Sequence, residues 1–400
     1  MLDLHITRAV VGNEFELIET KVFGNGHIWL VEKKRRAFEI CPKCGTQCDT
    51  RAGKVKTRVR DEPLRWGKLW LEIRKHRYFC KRCKKKFTET TSNVFPRRRT
   101  TQRFRKMLAR ECADITDLKR VRRRQRVSSG LLYKVYYEQI ETKLRERKHS
   151  LKWPEQLGID EHFFSRRKGF TDYVTVFTDL KKRRLFEIAE GKDNKSVSEQ
   201  LEMIPGRENV RLVAIDMSKT YRALVRKLFP NAKIVADKFH VLRLLGPAIM
   251  RERKLAQGNK HDAKMRRRLL RSRSKLDYFE RSELDYFLRS HETLNELYRA
   301  KEKLFEIYRT KGFVRAQAAL TKFIGELESK APEALQKLGR TLRAWREEIA
   351  EYFRTGLTNA FTEQTNNRGK LVQKRAYGYK SFRNYRLRLL SACLHEGYAA

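Results

Sequence analysis

Long apolar runs are missing from this 400-residue sequence. No stretch approaches the roughly 20 residues that a membrane-crossing helix needs, so no membrane partner is expected. The opening MLDLHITRAV lacks the layout of a secretory leader, which makes the cytoplasm the expected location. Internal repeats and long low-complexity linkers are also absent. The seven cysteines, in a chain without an export signal, point to reduced thiols or metal ligands rather than disulfides. Acidic side chains are scarce: 48 Asp and Glu face 93 Lys and Arg, a formal net charge of +45.

Hydrophobic residues make up 40% of the chain, enough for folded cores and too much for a disordered basic tail. The length suggests two or three domains. So large a positive excess needs a polyanion, and nucleic acid is the commonest one for a folded protein. The charge is also concentrated. Residues 51–150 carry 33 basic and 10 acidic side chains, whereas residues 1–50 balance at 7 against 7. A basic surface of that density reads as a binding face.

Residues 27–95 alternate as strands do (HIWLVE, KLWLEIRKHRYF) around two cysteine pairs, and 100–148 is helical and very basic. At LKWP (151–154) the composition changes. Three short apolar runs follow: LGIDEHFF, DYVTVFTDL and RRLFEIAEG. A polar helical segment (196–204) precedes the strand VRLVAID, the helix TYRALVRKLF and the strand AKIVAD. Three consecutive strands and then a strand–helix–strand unit predict a mixed sheet with helices packed on it. Residues 241–355 carry helical spacing almost throughout and read as an α-helical insertion.

Cys41 and Cys44 lie in CPKCG, Cys80 and Cys83 in CKRCKKKF. A two-residue gap lets a tight knuckle aim both sulfurs at one ion, and four thiolates close a structural tetrahedral Zn2+ site. The 35 residues between the pairs read as a ribbon of strands. Cys48 is a neighbour without a role; Cys112 and Cys393 are expected in the core. Downstream, TQRFRKMLARECADI, DLKRVRRRQ and LLYKVYYEQIETKLRERK suggest three helices, with a turn at 127–130 and Ser128 or Ser129 capping the last. This pattern resembles a helix-turn-helix. Arg122, Arg123, Arg124 and Arg126 would then meet DNA phosphates, and Lys134 would reach toward bases. A basic linker is the plainer alternative.

Acids inside apolar strands need a reason in so basic a chain. Asp160 lies within LGIDEHFF and Asp216 closes VRLVAID. A buried carboxylate is costly unless it is paired or holds a metal, and carboxylate oxygens suit Mg2+. A salt-bridged strand end is the ordinary alternative. Glu363, Asn367, Lys370 and Lys374 follow spacings of four, three and four along a predicted helix, which sets a carboxylate in line with groups suited to phosphate contact.

LGIDEHFF, AIDMSKTYRALVRKLFPNAKIVADKFHVLRLL and TNAFTEQTNNRGKLVQKRAYGYKSFRNYRLRLL together resemble the catalytic core of the ISL-three family of bacterial insertion-sequence transposases. The cysteine pairs and basic helices resemble that family's N-terminal zinc-binding and helix-turn-helix domains. The resemblance covers nearly the whole chain, least clearly residues 1–35 and the helical insertion. It implies a multidomain α/β protein with a ribonuclease-H-like mixed-sheet core. The expected domains are 1–95 (a zinc-binding β domain with four cysteine ligands), 96–150 (helix-turn-helix), 151–240 plus 356–400 (catalytic) and 241–355 (α-helical insertion). It further implies a DDE triad of Asp160, Asp216 and Glu363, which would bind two Mg2+ ions, with Mn2+ as a substitute. On a strand Asp160 and Glu161 face opposite ways, and the family pattern favours Asp160. Asp237 and His240, in VADKFH, match patterned positions and are expected to support the ligands rather than to bind metal.

The implied activity is binding of the element's terminal inverted repeats, then cleavage and strand transfer into target DNA. The enzyme is expected to act as a dimer or larger multimer on double-stranded DNA, associated with the nucleoid. The alternatives are a catalytically idle DNA-binding regulator descended from a transposase, a nuclease that cuts without joining and, more distantly, a zinc-dependent RNA-binding protein.

Overall fold

A computed structural model describes residues 11–394 except Arg35, 65–66, 115–116, 149–151, 165–172, 259–261 and 330–331. The opening decapeptide, on which the reading about a leader rests, lies outside the described residues. The chain divides into two compact units, Met1–Arg145 and Glu146–Ala400.

The first unit begins with strands β1 (Phe15–Phe23) and β2 (Gly26–Lys33), paired antiparallel. The short β3 (Glu39–Ile40) and β4 (Gln47–Cys48) bracket the first cysteine pair. The long strands β5 (Arg51–Leu64) and β6 (Gly67–Cys80) pair antiparallel, and β7 (Lys85–Thr88) pairs with the end of β6. The sheet order is β1-β2-β6-β5. Alternation in KLWLEIRKHRYF works as the period of two requires: Leu69, Leu71 and Ile73 are buried against Trp29, Val31 and Val59, with their neighbours half-exposed.

Three helices follow: α1 (Gln102–Asp114), α2 (Leu118–Gln125) and α3 (Ser129–Lys148). Asp117 caps α2 by accepting from Lys119 N at 2.9 Å, and Ser128 caps α3 through Leu131 N at 3.2 Å. Arg126 ends α2 in the left-handed conformation, at φ 47°. Phe104, Leu108, Cys112, Val121, Leu132 and Val135 are buried on these helices. The boundary expected at 95/96 falls inside this unit, where β5 and the helices interlock. The Arg60 guanidinium lies over the Trp70 and Phe104 rings and donates to Gln125 O at 3.0 Å. Beside it the fully buried Asp61 accepts from Thr101 Oγ1 at 2.6 Å and pairs with Arg103.

The second unit carries a five-stranded mixed sheet of β8 (Gln156–Phe163), β9 (Tyr173–Asp179), β10 (Arg184–Glu190), β11 (Leu212–Ile215) and β12 (Lys233–Ala236). Its order is β10-β9-β8-β11-β12. The first three strands are antiparallel neighbours, and β8, β11 and β12 run parallel. Helix α4 (Asn194–Leu201) follows β10, and α5 (Lys219–Leu228) joins β11 to β12. The strands expected from the apolar runs are therefore present and in that sequence.

The described residues of 241–355 are mostly helical, as expected: α6 (Lys238–Leu242), α7 (Gly246–Gln257), α8 (Ala263–Leu270), α9 (Tyr278–Arg289), α10 (Glu292–Ile307), α11 (Phe313–Glu328), α12 (Glu333–Ala344) and α13 (Arg346–Thr355). Two helices close the chain, α14 (Ala360–Arg375) and α15 (Phe382–Leu394). The apolar core runs without a break from Ile159 and Ile215 of the sheet to Leu297 and Ile349 of the helices. Helix α13 packs against β12 and α14 against β8, so the expected boundary at 355/356 lies between two helices that both lean on the sheet.

The two faces of the sheet differ in kind. Leu157, Ile159, Phe177 and Val213 join Val197, Leu224 and Val225 of α4 and α5 in the apolar core. The opposite face meets α14 through small and polar groups. A Cβ on Gly158 would overlap Thr362 Oγ1 outright and lie 2.5 Å from Asn359 Oδ1 and 2.7 Å from Thr178 Oγ1. Only a glycine lets α14 come this close.

Candidate active site and metal centre

The parallel ladders fix where the acids stand. Ala214 pairs with Gly158, and Ile215 with Ala236. Two residues past the first pair are Asp160 and Asp216; one past the second are Asp216 and Asp237. Asp237 N continues the ladder by donating to Ile215 O at 2.8 Å. Three aspartates therefore stand level on adjacent strands, whose usual spacing is about 4.8 Å.

Electrostatics reports the same convergence. Burial pushes the Asp160 carboxyl up to about 6, and the Asp216 and Glu161 charges add to it, against the Glu161 N–H bond and His240. Asp216 is likewise pushed up to about 6, first by burial and then by Glu161. His240 bonds Asp237 Oδ2 through Nδ1 at 3.1 Å. That bond, with the charges of Asp237, Asp216 and Asp160, raises the imidazole above its usual range against the effect of burial. Asp237 is fully buried and accepts from Asn359 N at 3.0 Å, which ties it to the start of α14.

Asp160 and Glu161 do face opposite ways. Asp160 Oδ2 accepts from Asn366 Nδ2 of α14 at 2.8 Å. Glu161 lies on the other side of the strand, where its charge raises the Tyr221 phenol after the larger effect of burial. It nonetheless acts on Asp216 more strongly than the other charges around that residue, so the strand's two faces are not electrically separate. Asp216 Oδ1 and Glu161 Oε2 are buried without a hydrogen-bond partner. An uncompensated buried carboxylate oxygen is expensive, and Asp216 Oδ1, level with the Asp160 and Asp237 carboxylates, belongs to an all-oxygen set that fits a hard divalent cation.

Glu363 is half-buried on the first turn of α14, three residues before Asn366 and so on a neighbouring part of the helix surface. The ligand atoms of Asp160, Asp216 and Glu363 do not all lie within 4.8 Å of one another. Among the described residues, the four cysteines are the group of three or more ligand atoms lying within 4.8 Å of one another. Two ions about 4 Å apart do not demand that all three carboxylates touch.

Sequence reasoning missed a buried relay behind Asp160. The His162 ring bonds Asn366 Oδ1 through Nδ1 at 3.1 Å and the Tyr385 hydroxyl through Nε2 at 2.5 Å. Burial drives His162 down to about 4, so the ring is neutral near pH 7. Asn366 donates its amide N–H to Asp160, so its carbonyl must accept. His162 therefore donates from Nδ1, and its Nε2 accepts from Tyr385. The sequence holds one signal for this relay, the E-x-x-N spacing from Glu363 to Asn366. Asn367, the amide singled out by helical spacing, is instead exposed, as are Lys370 and Lys374. Those three line the outer side of α14.

In the first unit the knuckles bring Cys41, Cys44, Cys80 and Cys83 together, with Cys44 Sγ 3.6 Å from Cys80 Sγ. Tetrahedral Zn2+ with Zn–S bonds of about 2.3 Å requires sulfurs roughly 3.8 Å apart, so the geometry fits that ion. Both knuckles close on a left-handed residue, Gly45 at φ 70° and Lys84 at φ 50°. Cys48 is buried beside the cluster but outside the group of four. Cys112 is fully buried, as expected; Cys393 is half-buried. Arg122, Arg123, Arg124, Arg126 and Lys134 are all exposed on α2, its cap and α3.

A family model for DDE transposases of the ISL-three type, described as "Transposase", matches residues 157–389. The transposase for insertion sequence element IS1001 of Bordetella parapertussis is 25% identical over 370 residues, covering 88% of each chain. No described helix is long and apolar enough to cross a membrane.

Proposed function

Because this chain belongs to the ISL-three family of transposases, we propose that it binds the terminal inverted repeats of an insertion sequence, cleaves at the element's ends and joins them to target DNA. The observation that carries the reading is the level row of Asp160, Asp216 and Asp237, with the buried Asp216 Oδ1 lacking a partner, inside the segment the family model matches. The order β10-β9-β8-β11-β12, antiparallel and then parallel, supports a ribonuclease-H-like core.

In this proposal Asp160, Asp216 and Glu363 would hold two Mg2+ ions. The bound ions, or Mn2+ in their place, would supply the charge that activates an attacking oxygen and stabilises a departing one. Asn366 holds Asp160 in one orientation, and His162 and Tyr385 hold Asn366. Asp237 anchors α14 through Asn359 N and keeps His240 beside the carboxylates. Asn367, Lys370 and Lys374 meet phosphates along the outer side of α14. The zinc module keeps the first unit folded, Arg122, Arg123, Arg124 and Arg126 meet the repeat's backbone, and Lys134 reaches the groove. Two ends brought together require at least a dimer on DNA.

The test is to incubate purified protein with Mg2+ and a labelled duplex of the element's terminal repeat plus flank, beside an Asp216→Ala control. Nicks at the repeat boundary and joined products, both absent from the control, are expected. Specific binding without cleavage in Mg2+ or Mn2+ would establish a DNA-binding regulator instead. Cleavage without joining would establish a nuclease.

A further inference from the structure

Helix α9 presents an aromatic face that the cleavage chemistry does not use. Tyr278, Phe279 and Tyr286 are 78%, 77% and 76% exposed. At 3.6 residues per turn they fall within an arc of about 100°, with Arg289 and Ser282 between them. The Tyr278 and Phe279 rings meet edge to face, 5.7 Å between centroids. Single exposed apolar residues are ordinary; three large rings on one short helix are not.

The helix beneath them is held firmly. Leu284 and Leu288 are buried, and Asp277 and Glu280 form a capping box. Every acidic side chain from 277 to 285 is engaged. Glu280 pairs with Arg267, Glu283 with Arg268, and Asp285 with Arg273 through two bonds of 2.6 and 2.7 Å. Arg266, Arg271, Lys275, Arg281 and Arg289 of the same segment are exposed. The surroundings of the rings are therefore net cationic.

That combination selects an occupant. A second copy of this chain would bring the same cations, and +45 overall, against this face. A nucleic acid brings the opposite charge and flat apolar rings. Bases inside a duplex are already stacked on one another, whereas unpaired bases can stack on Tyr and Phe while cations follow their phosphates. We propose that the α9 face is a stacking platform for unpaired DNA bases. The proposal rests on the transposase reading for its substrate, because opening the duplex near a cleaved end supplies such bases.

The experiment uses the full chain carrying Asp216→Ala, so that no chemistry intervenes. Anisotropy is read with a labelled single strand of about 15 thymidines and a duplex of equal length, in about 0.3 M salt to suppress charge-only binding. Replacing Tyr278, Phe279 and Tyr286 by Ala is expected to weaken the single-strand complex about tenfold or more, and the duplex complex less than about twofold. Tyr278→Phe with Tyr286→Phe should bind the single strand as the parent does. Should the triple variant fail to fold, Tyr286→Ala alone carries the test, with a loss of roughly threefold or more. Unchanged single-strand affinity, or equal losses on both probes, overturns the proposal. So does loss of self-association in the triple variant with single-strand affinity intact, which would make the face a contact between copies. Cutting and joining by the parent, measured separately, judges the transposase reading, so the two failures are distinguishable.

Discussion

Replacing Asp216 by Asn should stabilise the metal-free protein, although Asp216 is proposed to be indispensable for catalysis. The Asp216 carboxyl is pushed up to about 6 from 3.8. Its folded state therefore favours the protonated form. The associated stability is complete below about pH 3.8, falls as pH rises toward 6, and is gone above that. At about 1.4 kcal/mol for each tenfold change in proton affinity, ionised Asp216 costs the fold about 3 kcal/mol near pH 7.5. An amide of the same shape removes that cost and also relieves Asp160, whose own rise owes part to the Asp216 charge. For a unit of this size the gain corresponds to about 6–12 °C in the melting of the second unit. The assay is calorimetry of parent and Asp216→Asn in EDTA at about pH 4 and pH 7.5, and then with excess Mg2+. The variant should melt higher only at the upper pH. Mg2+ at about a hundred times its Kd should stabilise the parent by about 2.7 kcal/mol and the variant much less. A variant no more stable than its parent in EDTA at pH 7.5, or equally stabilised by Mg2+, would show that Asp216 is not a strained ligand awaiting a cation.

Stripping Zn2+ with a chelator, or Cys80→Ser, should unfold the zinc-binding part of the first unit, whereas Cys48→Ser should retain the metal; circular dichroism with metal analysis decides, and a first unit indifferent to chelation would refute the site. Asn366→Ala leaves the His162 N–H without its acceptor and Asp160 Oδ2 without its donor. A drop in cleavage of about 10–100-fold is expected, with a higher Mn2+ requirement; an unaltered Mn2+ titration would mean that Asn366 only packs. Gly158→Ala forces a methyl group among Thr362, Asn359 and Thr178, and should destabilise the second unit by about 1–3 kcal/mol, read from denaturant midpoints. A neutral result would mean that α14 is free to lift from β8.

Much of the architecture can be read from the chain because it follows local periodicity. KLWLEIRKHRYF announces β6 by alternation, and LGIDEHFF, DYVTVFTDL and RRLFEIAEG announce β8 to β10 as apolar runs. The capping residues Asp117 and Ser128 sit where side-chain oxygens can reach free N–H groups. Asn366 is less visible. The period of an α-helix places residues on a face but does not say which face meets the sheet, and Asn366 and Asn367 are adjacent polar amides. Gly158 decides between them by letting α14 settle onto β8 with Asn366 inward. Likewise nothing local in VADKFH states that Asp237 stands level with Asp160, because that depends on the register of two parallel ladders.

Spacing and charge establish, before any fold is known, that this chain carries two cysteine knuckles, a basic helical module and acids embedded in apolar strands, while the resemblance of its longer motif strings points to the family to which it belongs. These properties are written within a few residues of one another and do not depend on what lies across the molecule. Folding adds the rest: Asp160, Asp216 and Asp237 form one row, Glu161 acts on Asp216 from the opposite face, and His162 and Tyr385 stand behind Asn366. Such contacts join residues as far apart as 162 and 385. They exist only where strand register and helix docking bring distant segments together, and burial then gives each charge a reach that solvent would have screened.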